Sequence, residues 1–93
     1  LGWNDVGSWE SLFEVFPPGK DGNILMDAEH LGLDTTNSLV VSDHSNRLIA
    51  TLGVNDLIIV DTQDAVLVCS RQYAQKVKEI VNLLKQRNDK RYL

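Results

Sequence analysis

The residue with the strongest claim on chemistry is Asp5, in the run Leu1-Gly2-Trp3-Asn4-Asp5-Val6-Gly7-Ser8-Trp9. A carboxylate bracketed by Trp3 and Trp9, with Gly7 two positions on, suggests an acid held at a strand end where the following backbone passes close to a ligand. The two indoles read as core, because each carries a large apolar area that must pack against something. Other reactive residue types are less well placed. His30 and His44 lie in polar surroundings with no second His or Cys at ligand spacing, and are expected at the surface. Cys69 closes an apolar run without a His or basic neighbour, which suits a small core hydrophobe rather than a nucleophile. Asp27, Glu29, Asp34 and Asp43 lack the alternating oxygen ligands and central glycine of a calcium loop, so they read as a solvated edge. Asp56, Asp61 and Asp64 recur beside strand ends, where Asp bonds to its own turn backbone.

Three kinds of element must position these groups. From Trp9 to Val15 a short helix is expected, with Ser8 as its N-cap, Glu10 near the positive end of its dipole, and Trp9, Leu12, Phe13 and Phe16 on one face. Pro17-Pro18 and Gly19-Lys20-Asp21-Gly22-Asn23 end it and read as a linker; with acidic neighbours and no following helix, the stretch is a poor phosphate cradle. Short apolar runs then begin near Leu39, Leu48, Leu57 and Val66, nine residues apart, with turn residues in each gap. Hairpins and the coils of a wound sheet both produce that spacing, and a small wound β-unit is favoured. Leu57-Ile58-Ile59-Val60 and Val66-Leu67-Val68-Cys69 are apolar without alternation, so each is expected to be covered on both faces. Finally, Tyr73, Val77, Ile80, Val81 and Leu84 recur at helical spacing and predict one amphipathic helix from about Arg71 to Arg87. Its apolar stripe should lie across the open face or end of the strands, and the tail from Asn88 should fray.

Composition narrows the function classes. Ninety-three residues, 43% apolar and 24% charged, make one small globular unit with a narrow stability margin, which docking onto another domain or a second copy would widen. The start at Leu1 rather than a Met suggests a piece of something longer. No apolar run approaches the length of a membrane span, and no secretory leader is visible. One cysteine and no Asn-x-Ser/Thr acceptor fit a reducing cytoplasm. Residues 1–70 hold eleven acidic and two basic side chains, residues 71–93 two acidic and seven basic. Those basic charges are spread around a helix with an acidic body behind it, so they form no stripe for nucleic acid.

The opening run resembles the motif that closes the catalytic domain of mannose-1-phosphate guanylyltransferases, which make GDP-mannose from GTP and mannose 1-phosphate. The resemblance continues through Gly22-Asn23, Asp34-Thr35, Asn37-Ser38, Arg47-Leu48, Gly53-Val54, Asp56-Leu57, Asp61-Thr62 and Asp64-Ala65, to Ala74-Gln75-Lys76-Val77 before Ile80-Val81. It implies a mainly β fold with helices at both ends: a small left-handed β-helix-like unit of short strands, capped by the C-terminal amphipathic helix. Residues 1–16 would then be the tail of the nucleotidyltransferase catalytic domain, 17–23 a linker, and 24–93 the C-terminal β-helix-like domain with its closing helix over 71–87. Relatives often continue Gly22-Asn23 with Gly-Asp where this chain has Ile24-Leu25-Met26-Asp27, which predicts an irregular first corner.

The same resemblance implies roles. Asp5 falls on the aspartate that helps to hold the catalytic Mg²⁺, and hard carboxylate oxygens suit a cation that must neutralise charge as pyrophosphate leaves. Val6 and Gly7 would lie against the mannosyl group, with Asn4 beside them as a further candidate contact. The glycine-rich nucleotide loop and the lysine for the sugar phosphate are absent from these 93 residues, so the piece alone is expected to be inactive and to serve packing and homo-oligomer assembly. Two alternatives stand beside this reading: a nucleotidyltransferase for another sugar 1-phosphate, whose related motif is Asp-Thr-Gly, and a non-catalytic interaction module.

Overall fold

The nine-residue spacing of the strand starts turns out to be half of a coil. The computed structural model describes residues 3–16, 19–43 and 46–87. Within them lie strands β1 (Ile24–Met26), β2 (Glu29–Leu33), β3 (Leu39–Ser42), β4 (Leu48–Leu52), β5 (Leu57–Asp61) and β6 (Val66–Ser70). From β1 to β5, successive strands do not pair. Instead β1, β3 and β5 run parallel in one sheet, and β2 and β4 run parallel in a second. Leu39 pairs with Ile58 and Glu29 with Leu48, each 19 residues on, so every winding passes once through both sheets. This is a β-helix-like path, and the two sheets do not close on each other. Only β6 reverses: it pairs antiparallel with β5 after a tight turn in which the Thr62 N–H donates to the Ala65 carbonyl.

The corners explain which residues the path tolerates. Gly22, Asn37 and Asp56 stand two positions before the paired residues Ile24, Leu39 and Ile58, and all three have positive φ, at 81°, 53° and 57°. Asp34 and Gly53 form a second such stack, directly after the partners Leu33 and Leu52. Gly, Asn and Asp are the types that enter the left-handed region at least cost. Gly22, Asn37 and Asp56, and likewise Asp34 and Gly53, are therefore stacked corners, one above another. Asn23 stitches two of them, donating from Nδ2 to the Thr35 carbonyl (2.9 Å) and accepting at Oδ1 from the Ser38 N–H (2.9 Å). The expected irregularity appears in the first winding, where Ile24 pairs with Leu39 only 15 residues on. There Asp27 (φ 54°) makes an extra left-handed corner right after the three-residue strand β1.

The β3 strand is buried at all four positions because it lies between β1 and β5. Alternation sends Leu39 and Val41, with Ile24, Ile58, Val60 and Leu67, into one apolar cluster, while Val40 and Ile59 fill the other side. Both ends of the chain cover that cluster. Trp3 and Val6 join it from the start, and Ala74, Val77, Val81 and Leu84 from the closing helix.

Several elements differ from expectation, each for a physical reason. The first helix does not begin at Trp9: a 3-10 helix spans Trp3–Ser11, and only Leu12–Val15 (α1) is α-helical. Trp3, Val6, Trp9 and Leu12 recur every three residues, which is the repeat of a 3-10 turn. Ser8 is accordingly no cap; its hydroxyl donates back to the Asp5 carbonyl at 2.8 Å. Phe16 is 45% exposed rather than on a buried face. The closing helix is a 3-10 turn, Arg71–Lys76, running into α2 (Val77–Gln86). Its buried stripe is Ala74, Val77, Val81 and Leu84, whereas Tyr73 and Ile80 are exposed, because α2 packs chiefly on the first 3-10 helix. β6 is not covered on both faces: as an edge strand it leaves Val66 and Val68 exposed. Pro17-Pro18 of the expected linker, His44 and the tail from Asn88 lie outside the described residues.

Candidate functional site

Asp5 lies in the 3-10 helix, not at a strand end, and its side chain is exposed. Because Trp3 and Val6 turn into the core, the 3-10 repeat carries Asn4 and Asp5 outward. Their opposite wall comes from the closing helix. A recess of about 360 Å³ is lined by Asn4, Asp5, Gly7 and Ser8 on one side and by Gln75 and Lys78 on the other. Among the described residues the Asp5 carboxylate has no hydrogen bond or ion pair. Its oxygens are thus available to a hard cation, as one ligand of the set such an ion needs. No group of three or more His, Cys, Asp or Glu that could hold a metal occurs among the described residues. Any further ligands would have to come from elsewhere.

Of the residues that the motif suggested, the structure brings Asn4, Asp5 and Gly7 to one recess. The side chain of Val6 is fully buried in the core, so only its backbone can face a ligand there. Gly7 is held from across the recess: Gln75 Nε2 donates to its carbonyl at 2.7 Å. A Cβ at Gly7 would meet Gln75 Oε1 at 3.0 Å, which explains why glycine suits this position.

Sequence reasoning missed the residue that fixes this motif to the coil. Arg71 donates from Nε to both Glu10 carboxylate oxygens, at 3.1 and 3.3 Å, and Nη2 also bonds to Glu10 Oε1. The guanidinium stands 3.6 Å over the Phe13 ring centroid, and Nη1 donates to the Asn37 carbonyl at 3.2 Å. Its own N–H donates to the Asp56 carbonyl at 2.7 Å. Glu10 therefore serves Arg71 rather than a helix dipole. The available signal was positional, since Arg71 is the first basic residue after the acidic body of the chain.

The remaining candidates fall into structural roles. Asp61 is buried and accepts from Arg47 Nη1 at 2.7 Å and from Ser42 Oγ at 3.4 Å, so it is an ion-paired core residue and not a turn residue. Asp56 does occupy a corner. His30 is not a free surface group: its Nε2 is 2.8 Å from Thr51 Oγ1, which is 2.7 Å from Thr35 Oγ1. Cys69 is half-buried, and burial pushes its thiol up from the usual range, which disfavours the nucleophilic thiolate. Asp27, Glu29, Asp34 and Asp43 are all exposed, as a solvated edge requires.

The family model described as MannoseP isomerase/GMP-like beta-helix domain matches residues 28–84. Mannose-1-phosphate guanylyltransferase 2 of Escherichia coli O157:H7 is 39% identical over 93 residues, which is 100% of this chain and 19% of that protein. A mannose-1-phosphate guanylyltransferase of Klebsiella pneumoniae is 42% identical over 90 residues, covering 97% of this chain and 18% of the relative. Among solved structures, that of mannose-1-phosphate geranyltransferase from Thermus thermophilus superposes with a TM-score of 0.72 at 34% identity, over 87% of this chain and 24% of that one. The chain thus spans about a fifth of the length of the curated relatives it matches.

Proposed function

This chain belongs to the MannoseP isomerase/GMP-like beta-helix domain family, and from that premise we propose that it is part of an enzyme transferring GMP from GTP to mannose 1-phosphate, with release of GDP-mannose and pyrophosphate. The observation that carries the proposal is the likeness to the Escherichia coli guanylyltransferase along all 93 residues, the tryptophan-flanked opening run included. In this reading residues 1–16 close the catalytic domain, residues 17–23 link, and residues 24–93 form the domain that follows it. The complete enzyme works in the cytoplasm on GTP and mannose 1-phosphate, and the present piece alone is inactive.

Asp5 is the Mg²⁺ ligand of this site. Its exposed carboxylate beside the recess fits that ion, which when bound supplies neutralisation of the charge that develops as pyrophosphate departs. The chain's own contributions are to keep that carboxylate oriented and to bring Asn4 and the Gly7 backbone alongside the sugar. Trp3 and Val6 anchor the motif from beneath, and Gln75 holds it from across the recess.

The β-helix-like domain serves packing and assembly. Its second sheet supports that role, because β2 and β4 expose Leu31, Leu33, Leu48 and Leu52. Apolar side chains grouped on one small sheet are a surface that gains from being covered.

The reaction is tested by measuring pyrophosphate release by the full-length enzyme with mannose 1-phosphate and with glucose 1-phosphate. Faster release with mannose 1-phosphate supports the assignment; equal or slower release removes it.

A further inference from the structure

Besides the Arg71–Glu10 clasp, the closing helix makes a polar contact with the Asp5 motif through the exposed Gln75 side chain. Gln75 lies in the 3-10 turn Arg71–Lys76, between the buried Ala74 and the buried Val77, so the turn cannot swing away without uncovering the core. From that fixed base Nε2 reaches the Gly7 carbonyl at 2.7 Å, across 68 residues of sequence. A Cβ at Gly7 would come within 3.0 Å of the Gln75 side chain, so glycine leaves this contact unstrained. Asp5 is two residues away, in the same 3-10 helix, and its carbonyl is itself held by the Ser8 hydroxyl at 2.8 Å.

We infer that Gln75 is a positioning residue for the nucleotidyl transfer. By holding the Gly7 carbonyl it fixes the pitch of the Asp5–Gly7 turn, and so the direction in which the Asp5 carboxylate enters the recess. A nine-residue 3-10 helix has weak hydrogen-bond geometry and is held by its surroundings more than by itself. Trp3, Val6 and the Arg71–Glu10 clasp fix its two ends, and the Gln75 donor adds the contact nearest to Asp5 from across the recess. Small errors in the placement of a reacting group cost large factors in rate. The assignment rests on the reading of Asp5 given above, which the loss of activity in Asp5→Asn tests on its own.

The experiment uses the full-length enzyme with Gln75→Met, which keeps the length of the side chain and removes the donor, and with Gln75→Lys, which restores a donor. Steady-state kinetics are read together with amide hydrogen exchange at residues 6–9 and with the melting temperature. The expected result for Gln75→Met is about a tenfold lower kcat, a KM for mannose 1-phosphate within about twofold of wild type, faster exchange at residues 6–9, and a melting temperature within about 2 °C of wild type. Gln75→Lys should recover most of the kcat and the protection. An unchanged kcat in Gln75→Met, with Asp5→Asn inactive, overturns the role of Gln75 and leaves that of Asp5 standing. A fall in kcat that tracks a fall in melting temperature, without recovery in Gln75→Lys, also overturns it. If Asp5→Asn is fully active, both assignments fail together.

Discussion

Arg71 clasps Glu10 with three hydrogen bonds across 61 residues of sequence, and in doing so ties the motif-bearing 3-10 helix to the corner ladder of the coil. The same guanidinium covers Phe13 and bonds to the Asn37 carbonyl, so the first 3-10 helix, α1 and a corner of the coil meet at one side chain.

That meeting point makes Arg71 a sensitive polar residue of the fold. Arg71→Ala should cost about 2 kcal/mol, from the lost bidentate pair and the ring contact. Arg71→Lys should recover less than half of it, because an ammonium cannot bridge both oxygens while lying flat on the ring. Urea melts of the three proteins check both expectations.

The closing helix offers a contrast between neighbours. Val81 is 1% exposed and Ile80 is 43% exposed. Val81→Ala should therefore cost about 2 kcal/mol through lost burial and an unfilled cavity, whereas Ile80→Ala should stay within about 0.5 kcal/mol. Thermal melts at matched concentration distinguish the two, and turnover of the full enzyme should not change in Ile80→Ala.

The corner ladder predicts that two glycines of similar backbone geometry will differ in cost. A Cβ at Gly22 would lie 2.2 Å from Asn37 Oδ1, while one at Gly53 meets nothing within 4 Å. Gly53→Ala should cost only the left-handed strain, about 1 kcal/mol. Gly22→Ala should cost more, roughly 1–2 kcal/mol, because the Asn37 side chain must also turn away. Measuring both by chemical denaturation would show whether the stacked corner is as tight as the structure has it.

Cys69 provides a pH test. Burial raises its thiol above the usual range, so the folded protein holds the proton more firmly than the unfolded chain does. The linked contribution to stability is undiminished below the unfolded thiol's range, and falls as pH rises through that range toward the higher folded value. Alkylation by iodoacetamide at about pH 8 should accordingly be slower than for cysteine in a peptide, and should accelerate only at more alkaline pH. Equal rates under those conditions would contradict the burial.

Much of this architecture was legible, and the exceptions are instructive. β3, β4, β5 and β6 begin at Leu39, Leu48, Leu57 and Val66, where the apolar runs begin. β1 and β2 were not visible: one has three residues, and Glu29-His30-Leu31-Gly32-Leu33 acquires its strand character from a partner 19 residues away. A repeat of about 3.6 places the first helix start at Trp9, whereas Trp3, Val6, Trp9 and Leu12 follow a repeat of three, and the 3-10 helix starts at Trp3. At the site, Asp5 and Gly7 could be picked out by residue type. Gln75 and Arg71 could not, because their partners Gly7 and Glu10 are brought to them only by the packing of the two chain ends.

The proposed role of the Asp5 carboxylate is that of a metal ligand in a nucleotidyltransferase. It is tested most directly by comparing wild type and Asp5→Asn in the full-length enzyme, titrating Mn²⁺ binding in the presence of GTP and following pyrophosphate release. The expected result is weaker Mn²⁺ binding and turnover lower by at least about a hundredfold, with the melting temperature unchanged because Asp5 is exposed and makes no side-chain bond among the described residues. Wild-type metal affinity and turnover in Asp5→Asn would contradict it.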